Sequence, residues 1–291
     1  MNILVVGGTR FFGVHLVESL LKDGHEVTIL TRGNTKDIFG NKVKRLMLDR
    51  TDADSLIYNL ADKEYDVVYD NIAYGSTDVK KLLNAVKCNR YIVTSSASVY
   101  FNWHVDMKED EFNPISHPLK WYDRADTTYD ELKRQVECAT FNEFARIPSV
   151  AVRFPFVIGE DDYTKRLYFY VEHVVKELPM NVDNLDEEIC YVDSKEAGSF
   201  LAWLADRPNT GTINGCNYGT KKISEVTEYV KNKTGKEPIY HDDGDKGEYN
   251  GAPSFCLSGD KCREWGYEFT DLNEWFYKLI DVYIEMASLA L

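Results

Sequence analysis

The chain has 291 residues, of which 48 are acidic and 34 are lysine or arginine, so its formal net charge is −14. Such a charge repels a nucleic-acid backbone. A hydrophobic share of 44% and a charged share of 28% are typical of a globular protein. No stretch approaches the roughly eighteen apolar residues of a membrane helix, and the N-terminus has the pattern of a core strand rather than a signal peptide. The six cysteines and six histidines are dispersed, which favours reduced thiols, a cytoplasmic protein and no metal site.

Apolar runs and helical patterns alternate along the first half of the chain. The runs predict strands at 3–6, 26–30, 43–48, 66–70, 90–95 and 150–154. The helical patterns lie at 12–22, 54–60, 79–86 and 127–145. This alternation predicts an α/β fold with a doubly wound parallel sheet of the Rossmann type. In such a sheet the functional surface lies at the carboxyl ends of the strands.

The alternation weakens after Arg153, which predicts a second, smaller region. We expect a dinucleotide-binding domain at 1–158, to which residues 189–205 return as a further sheet element and helix. Residues 159–188 and 206–270 are expected to form a smaller α/β substrate lobe. A C-terminal helix is predicted at 271–291, with an apolar stripe that includes Phe276, Tyr283 and Met286 facing the core.

A glycine-rich turn follows the first predicted strand. Gly7 and Gly8 end the strand, and Gly13 lies at the start of a helix whose apolar residues share one face. Gly7 can adopt a tight turn, Gly13 allows close packing of helix and strand, and the amides at the helix start can bind a pyrophosphate. The pattern therefore predicts a dinucleotide cofactor.

Tyr129 and Lys133 are four residues apart on one predicted helix face. A tyrosine that acts as general acid and base near neutral pH must lose about three units from a free pKa of ~10. A lysine ammonium ~4 Å away supplies roughly that stabilisation. A hydroxyl run, Thr94 to Ser96, ends a strand at the same predicted edge. The alternatives are an exposed helix face for the pair and a turn cap for the serine.

The glycine-rich turn, the hydroxyl run and the Tyr129–Lys133 pair follow one another along the chain. With these motifs in this order, the chain resembles the extended short-chain dehydrogenase/reductase superfamily, the NAD-dependent epimerases and dehydratases. The resemblance implies that Tyr129 is the acid/base, that Lys133 binds the nicotinamide ribose and lowers the pKa of Tyr129, and that Ser96 is the catalytic hydroxyl. It also implies contacts of Asp49 with adenine, of the loop from Asn71 with the adenine ribose, and of Pro155 with the nicotinamide. The expected cofactor-binding residues are Gly7, Thr9, Arg10, Phe11, Phe12, Gly13, Arg32, Asp49, Asn71, Ala73, Lys133 and Pro155.

Two arginines depart from the family pattern. Arg10 replaces the middle glycine of the turn, and Arg32 follows the second strand, where an acidic residue would hold the ribose 2′-hydroxyl. Because both offer a forked cation to a 2′-phosphate, we predict NADP over NAD. After Ser96 stand Ala97 and Ser98 rather than the Asp-Glu pair of family dehydratases.

The expected function is therefore an NAD(P)-dependent epimerase or reductase acting on a hydroxyl or carbonyl of a sugar or nucleotide-sugar-like small molecule. Two alternatives remain open. The sequence of the glycine-rich turn also resembles a subgroup that includes chloroplast stem-loop-binding proteins. This resemblance suggests RNA binding, although the negative net charge of the chain opposes it. The other is a cofactor-binding regulator without turnover. The resemblance further implies a possible homodimer through the helices at 79–87 and 127–145, and no membrane partner.

Overall fold

A seven-stranded parallel sheet organises the molecule. The computed structural model describes residues 1–289; residues 290 and 291, the last two of the predicted C-terminal helix, lie outside that range. The chain forms these strands: β1 (Asn2–Val6), β2 (Glu26–Thr31), β3 (Lys44–Met47), β4 (Glu64–Asp70), β5 (Lys87–Ser96), β6 (Ser149–Phe154), β7 (Phe156–Ile158), β8 (Pro179–Asn181), β9 (Tyr191–Asp193), β10 (Gly211–Asn214), β11 (Ile239–Tyr240) and β12 (Asp245–Lys246). The main sheet has the order β10-β6-β5-β4-β1-β2-β3, which confirms the predicted doubly wound topology.

Helices flank this sheet and also build a separate apolar core beside it. They are α1 (Phe12–Lys22), α2 (Ala53–Leu60), α3 (Ser76–Ala85), α4 (Tyr129–Cys138), α5 (Arg166–Lys176), α6 (Ser194–Trp203), α7 (Ile223–Thr234), α8 (Asp260–Trp265) and α9 (Phe276–Leu289). Along β1, Ile3 and Val5 belong to the core on one face, whereas Leu4 and Val6 belong to the core on the other. Alternation of side chains along a strand explains why β1 is apolar throughout.

The strand order reverses beside β1, where the carboxyl ends of β1 and β4 diverge to their respective crossover helices. Such a reversal opens a crevice at the carboxyl edge of the sheet. On the same face as α1, helix α6 packs so closely that a Cβ on Gly198 would lie 2.6 Å from the Leu16 backbone nitrogen. Residues 194–203 therefore pack against α1.

Three details differ from the predicted organisation. Residues 211–214, assigned to the substrate lobe, form β10 at the edge of the main sheet. Residues 191–193 pair with β7 in a separate two-stranded sheet instead of joining the main one. On α9, Met286 is exposed and Ala287 is buried in its place, because the buried stripe continues four residues beyond Tyr283. The remaining division into domain and lobe stays a prediction.

The two helices expected to form a dimer bundle, α3 and α4, are covered by the chain itself. Ser76 and Thr77 donate to the carbonyls of Lys120 and Tyr122 at 2.6 and 3.0 Å. Gln135 on α4 accepts from the Lys120 amide at 2.6 Å. Side chains 132–138 are all buried. A bundle built from these helices would have to displace the covering segment. Among the helices of residues 1–289, none combines the length and apolar character needed to cross a membrane.

Candidate active site

Two adjoining cavities occupy the crevice at the carboxyl edge of the main sheet. The first, here called the turn cavity, has a volume of about 530 Å³ and is lined by the glycine-rich turn and the ends of β2 and β3. The second, the hydroxyl cavity, has a volume of about 460 Å³ and is lined by the ends of β5 and β6 and by α4. Both cavities are lined by Phe11, Phe12, Asn71, Tyr74 and Tyr163. One elongated ligand can therefore occupy both.

The glycine-rich turn has the geometry of a phosphate cradle. Gly7 has a φ of +85°, which a side chain would strain, and a Cβ on Gly13 would lie 2.5 Å from the Gly7 carbonyl oxygen. Helix α1 has no side-chain cap and no acidic residue in its first turn. Its positive end is thus available to an anion at the turn cavity. These residues fit the pyrophosphate of a dinucleotide.

Asn71 ties three strand ends together at the crevice. Its amide nitrogen donates to the Gly7 carbonyl at 3.2 Å, and its amide oxygen accepts from the Thr94 hydroxyl at 3.0 Å. Its backbone nitrogen donates to the Val6 carbonyl at 3.0 Å. Asn71 therefore fixes the ends of β1, β4 and β5 relative to one another and lines both cavities.

The three hydroxyls at the end of β5 have different partners. Thr94 donates to Asn71, and Ser95 points to the opposite side of the strand, where it donates to the buried Glu137 carboxylate at 2.5 Å. Ser96 lines the hydroxyl cavity and accepts from the Ser98 amide at 3.1 Å. Ser96 is therefore the hydroxyl that can reach a ligand beside Tyr129, although it also caps the turn that follows.

Tyr129 is the first residue of α4 and lines the hydroxyl cavity, with half of its surface (51%) exposed. The surrounding protein raises the pKa of its phenol above the ordinary value by desolvation, and a hydrogen bond with Ser96 opposes part of this rise. The Lys133 nitrogen lies 6.0 Å from the centre of the Tyr129 ring. That Lys133 lowers the pKa of Tyr129 stays a prediction.

Lys133 is buried beneath the cavity floor and held by backbone. Its ammonium donates to the carbonyls of Ala73 and Thr94 at 2.8 and 2.9 Å. Burial lowers the pKa of Lys133 to about 8, although the nearby Asp70 carboxylate opposes this shift. With two of its three N–H donors engaged, the ammonium has one left for a ligand in the hydroxyl cavity.

The turn cavity carries exposed arginines. Arg10 donates from Nε to the Thr35 hydroxyl at 3.0 Å, and Arg32 lines the same wall. Within residues 1–289, neither arginine forms a salt bridge with a carboxylate. The Asp49 side chain accepts from the Thr51 amide and hydroxyl, and these bonds lower the pKa of Asp49. The guanidinium groups are free to bind an anion.

The remaining predicted residues lie as follows. Thr9, Phe11 and Phe12 line the turn cavity, and Pro155 lines the hydroxyl cavity. Ala73 requires a correction: it is fully buried, and its carbonyl holds Lys133 rather than facing a ligand. The sequence reasoning missed several lining residues because they come from irregular loops without periodicity: Trp103, Arg124, Tyr163, Glu248 and Phe255.

Comparisons with known proteins agree with this geometry. Residues 3–82 match the family model of the NAD dependent epimerase/dehydratase family. Chloroplast stem-loop binding protein of 41 kDa b from Arabidopsis thaliana is 36% identical over 131 residues, which cover 40% of this chain and only 35% of that protein. Protein CapI from Staphylococcus aureus is 23% identical over 290 residues, covering 81% of this chain and 84% of CapI.

Among solved structures, UDP-glucuronic acid 4-epimerase from Bacillus cereus, in complex with UDP-glucuronic acid and NAD, superposes with a TM-score of 0.75. The identity is 19%, and the superposition covers 98% of this chain and 100% of that chain. The chain thus shares the Rossmann-type fold of that epimerase. The resemblance to the NAD-dependent epimerase/dehydratase family is confirmed, with the family model itself covering residues 3–82.

Proposed function

We propose that the chain is a nicotinamide-dependent enzyme that oxidises or reduces a hydroxyl or carbonyl group of a sugar or nucleotide-sugar-like substrate. The observation that carries this proposal is the meeting of Ser96, Tyr129 and Lys133 at one cavity that adjoins the glycine-rich turn. Proteins with the same fold support it, since one of them is a UDP-glucuronic acid 4-epimerase with NAD bound.

In the proposed reaction, Tyr129, Ser96 and Lys133 have separate roles. When bound, a nicotinamide supplies the hydride acceptor or donor. The Tyr129 phenolate removes the proton from the substrate hydroxyl, and the Ser96 hydroxyl donates to the same oxygen. The third N–H of Lys133 would hold a cofactor ribose. Desolvation raises the pKa of Tyr129 in the protein alone, and the positive charge of an oxidised cofactor beside it would favour the phenolate.

Arg166 is the group that best fits an anionic part of the substrate. It lines the hydroxyl cavity, lies 5.7 Å above the Phe156 ring, and begins α5, whose first turn holds no acidic residue. In the described residues, no carboxylate lies within salt-bridge distance of it. A phosphate or carboxylate of a nucleotide sugar would satisfy this cation.

For the cofactor we propose NADP in preference to NAD. Arg10 and Arg32 flank the turn cavity and have no carboxylate partner within the described chain, and the second strand ends without an acidic residue for a ribose 2′-hydroxyl. A 2′-phosphate would meet two guanidinium groups there.

The experiment is a binding titration of NAD, NADH, NADP and NADPH, followed by incubation of the loaded protein with UDP-glucose or UDP-glucuronic acid and chromatographic analysis of the sugar. We expect cofactor binding in the micromolar range or tighter and a changed sugar product. Tyr129→Phe should abolish the product and retain the cofactor. Absence of pyridine-nucleotide binding would reject the proposal, and an unchanged biological role in Tyr129→Phe would favour a regulator.

RNA binding is the second candidate, and the observation in its favour is the partial match to the stem-loop binding relative. A net charge of −14 opposes it. A filter-binding titration with a stem-loop RNA at about 0.1 M salt separates the two functions. Submicromolar affinity for RNA that is lost when NADPH is added would place RNA at the crevice, and affinity weaker than micromolar would remove this candidate.

A further inference from the structure

Tyr163 reaches across the crevice at the point where the two cavities join. It belongs to the loop at 159–165, which follows β7 and leads into α5 on the lobe side. Its ring lies 5.9 Å from the Phe11 ring in an edge-on arrangement, and the Arg10 guanidinium lies 5.8 Å from its centre. Phe11 and Arg10 belong to the glycine-rich turn. The loop and the turn therefore touch through an aromatic pair and a cation–π contact.

The loop at 159–165 is anchored on the N-terminal side of Tyr163. The Asp161 carboxylate pairs with His15 on α1 at 3.0 Å and accepts from the Ser194 hydroxyl at 2.6 Å. The Gly159 carbonyl accepts from the Tyr283 hydroxyl at 2.7 Å. The Tyr163 side chain itself remains 60% exposed. Its backbone is thus held in place while the ring is free to swing away.

Phe11 has an unusual backbone conformation on the opposite side of this contact. Its φ of +55° and ψ of −144° fall in a region that side chains rarely adopt. This conformation orients the Phe11 ring toward Tyr163 and also toward Phe12, at 5.7 Å. The surrounding structure therefore maintains a strained residue where the aromatic contact forms.

We propose that Tyr163 is a gate that closes over the dinucleotide and slows its release. This inference rests on the proposed function, because it requires a nicotinamide nucleotide to span both cavities. Such a ligand must pass the five residues that the cavities share, and Tyr163 alone among them comes from the loop at 159–165. Opening the Tyr163–Phe11 contact is then a step in release, as in other enzymes with closing loops.

The test measures the release rate and not turnover. The protein is loaded with NADPH, and in parallel with NADH, and nicotinamide fluorescence is followed after mixing with an excess of the oxidised cofactor. We expect Tyr163→Ala to release the bound nucleotide at least tenfold faster than the unaltered chain. Tyr163→Phe keeps the ring and should stay within twofold. Tyr58→Ala removes another exposed tyrosine, on α2, and serves as the matched control.

Thermal unfolding of each variant without cofactor separates gating from a loss of folding, since an exposed ring should leave Tm unchanged. Equal release rates for Tyr163→Ala and the unaltered chain would overturn the gate while leaving the proposed function intact. So would equally fast release from Tyr163→Ala and Tyr163→Phe, because the ring would then not be the barrier. If the unaltered chain binds neither nucleotide, the proposed function fails first, and the gate fails with it.

Discussion

The two cavities of the crevice are built in opposite ways. Behind the hydroxyl cavity, the fully buried Arg153 and Glu137 pair at 2.7 Å, and Ser95 donates to the same carboxylate. Around the turn cavity, the cations Arg10 and Arg32 are exposed and have no carboxylate partner within the described chain. The proposed catalytic groups thus lie in front of a buried network, whereas the proposed cofactor-binding cations are exposed, and Arg10 is held by a hydrogen bond to Thr35 and by its contact with Tyr163.

This difference corresponds to two requirements for how accurately a side chain must be positioned. Acid/base chemistry needs groups fixed to a fraction of an ångström, and buried hydrogen bonds supply that. Binding a phosphate needs charge at approximately the right place, and exposed arginines supply it with less geometric demand. Substitutions behind the hydroxyl cavity should therefore affect the whole fold, and substitutions around the turn cavity should affect only the ligand.

The largest effect is expected for Glu137→Gln. This change leaves the buried Arg153 without its counter-charge, although Arg153 also donates to the carbonyls of Glu109 and Phe112. We expect the free energy of unfolding to fall by about 3–5 kcal/mol, measured by urea denaturation. A loss below about 1 kcal/mol would show that the two carbonyls satisfy the guanidinium alone.

Ser96→Ala and Ser95→Ala form a matched pair of neighbouring changes. Ser96→Ala removes a donor to the reacting oxygen and should lower kcat about 10²–10³-fold. Because the Ser96 hydroxyl also accepts from the Ser98 amide, we expect a smaller loss of unfolding free energy, about 0.5–1 kcal/mol. Ser95→Ala removes a bond to Glu137 and should cost about 1–3 kcal/mol of unfolding free energy, with kcat nearly unchanged. Unfolding curves and steady-state kinetics on the same preparations test both. The reverse assignment of the two effects would remove Ser96 from the mechanism.

Arg32→Ala should act on the cofactor alone. Loss of a charge-assisted contact to a 2′-phosphate should raise the Kd for NADP about tenfold, while the Kd for NAD stays within twofold. Titration with both nucleotides measures this. Tighter binding of NAD than of NADP, with neither affected by the change, would end the preference for NADP.

The smallest effect concerns the pH dependence of the loop at 159–165. The Asp161 hydrogen bond raises the pKa of His15 above 6.5. Burial alone would raise the pKa of Asp161, but hydrogen bonds from His15 and Ser194 hold it below 3.8. The His15 contribution is therefore fully present below about pH 6.5 and is lost as pH rises through its raised pKa. The Asp161 contribution is present above about pH 3.8 and is lost as pH falls through its lowered pKa.

We accordingly expect His15→Gln to lower the unfolding free energy more at pH 5.5 than at pH 8.5, by at most about 1 kcal/mol, because the pair is partly exposed. Denaturation at the two pH values, on the unaltered chain and the variant, measures the difference. An equal cost at both values would mean that the pair is held by a neutral hydrogen bond and not by charge.

Most strands of the main sheet could be predicted from the local pattern of apolar residues. The predicted helix at 12–22 coincides with α1, and six predicted strands lie within two or three residues of β1 to β6. Buried parallel strands are continuous apolar runs, so their signal is local and strong. Two strands of the lobe, β11 and β12, have only two residues each. Two residues are too few to show the alternation of apolar and polar residues that indicates a strand.

The sequence by itself determined the strand–turn–helix at Gly7 to Gly13, the parallel alternation and the presence of Ser96, Tyr129 and Lys133 in a family order. Tertiary structure alone decided that Lys133 is held by the Ala73 and Thr94 carbonyls, that α3 and α4 are covered by the chain, and that Tyr163 meets Phe11. The first set depends on neighbours within a few residues. The second joins residues 15 to 152 positions apart, whose contacts exist only once the sheet has assembled and the burial of its two faces has brought them together.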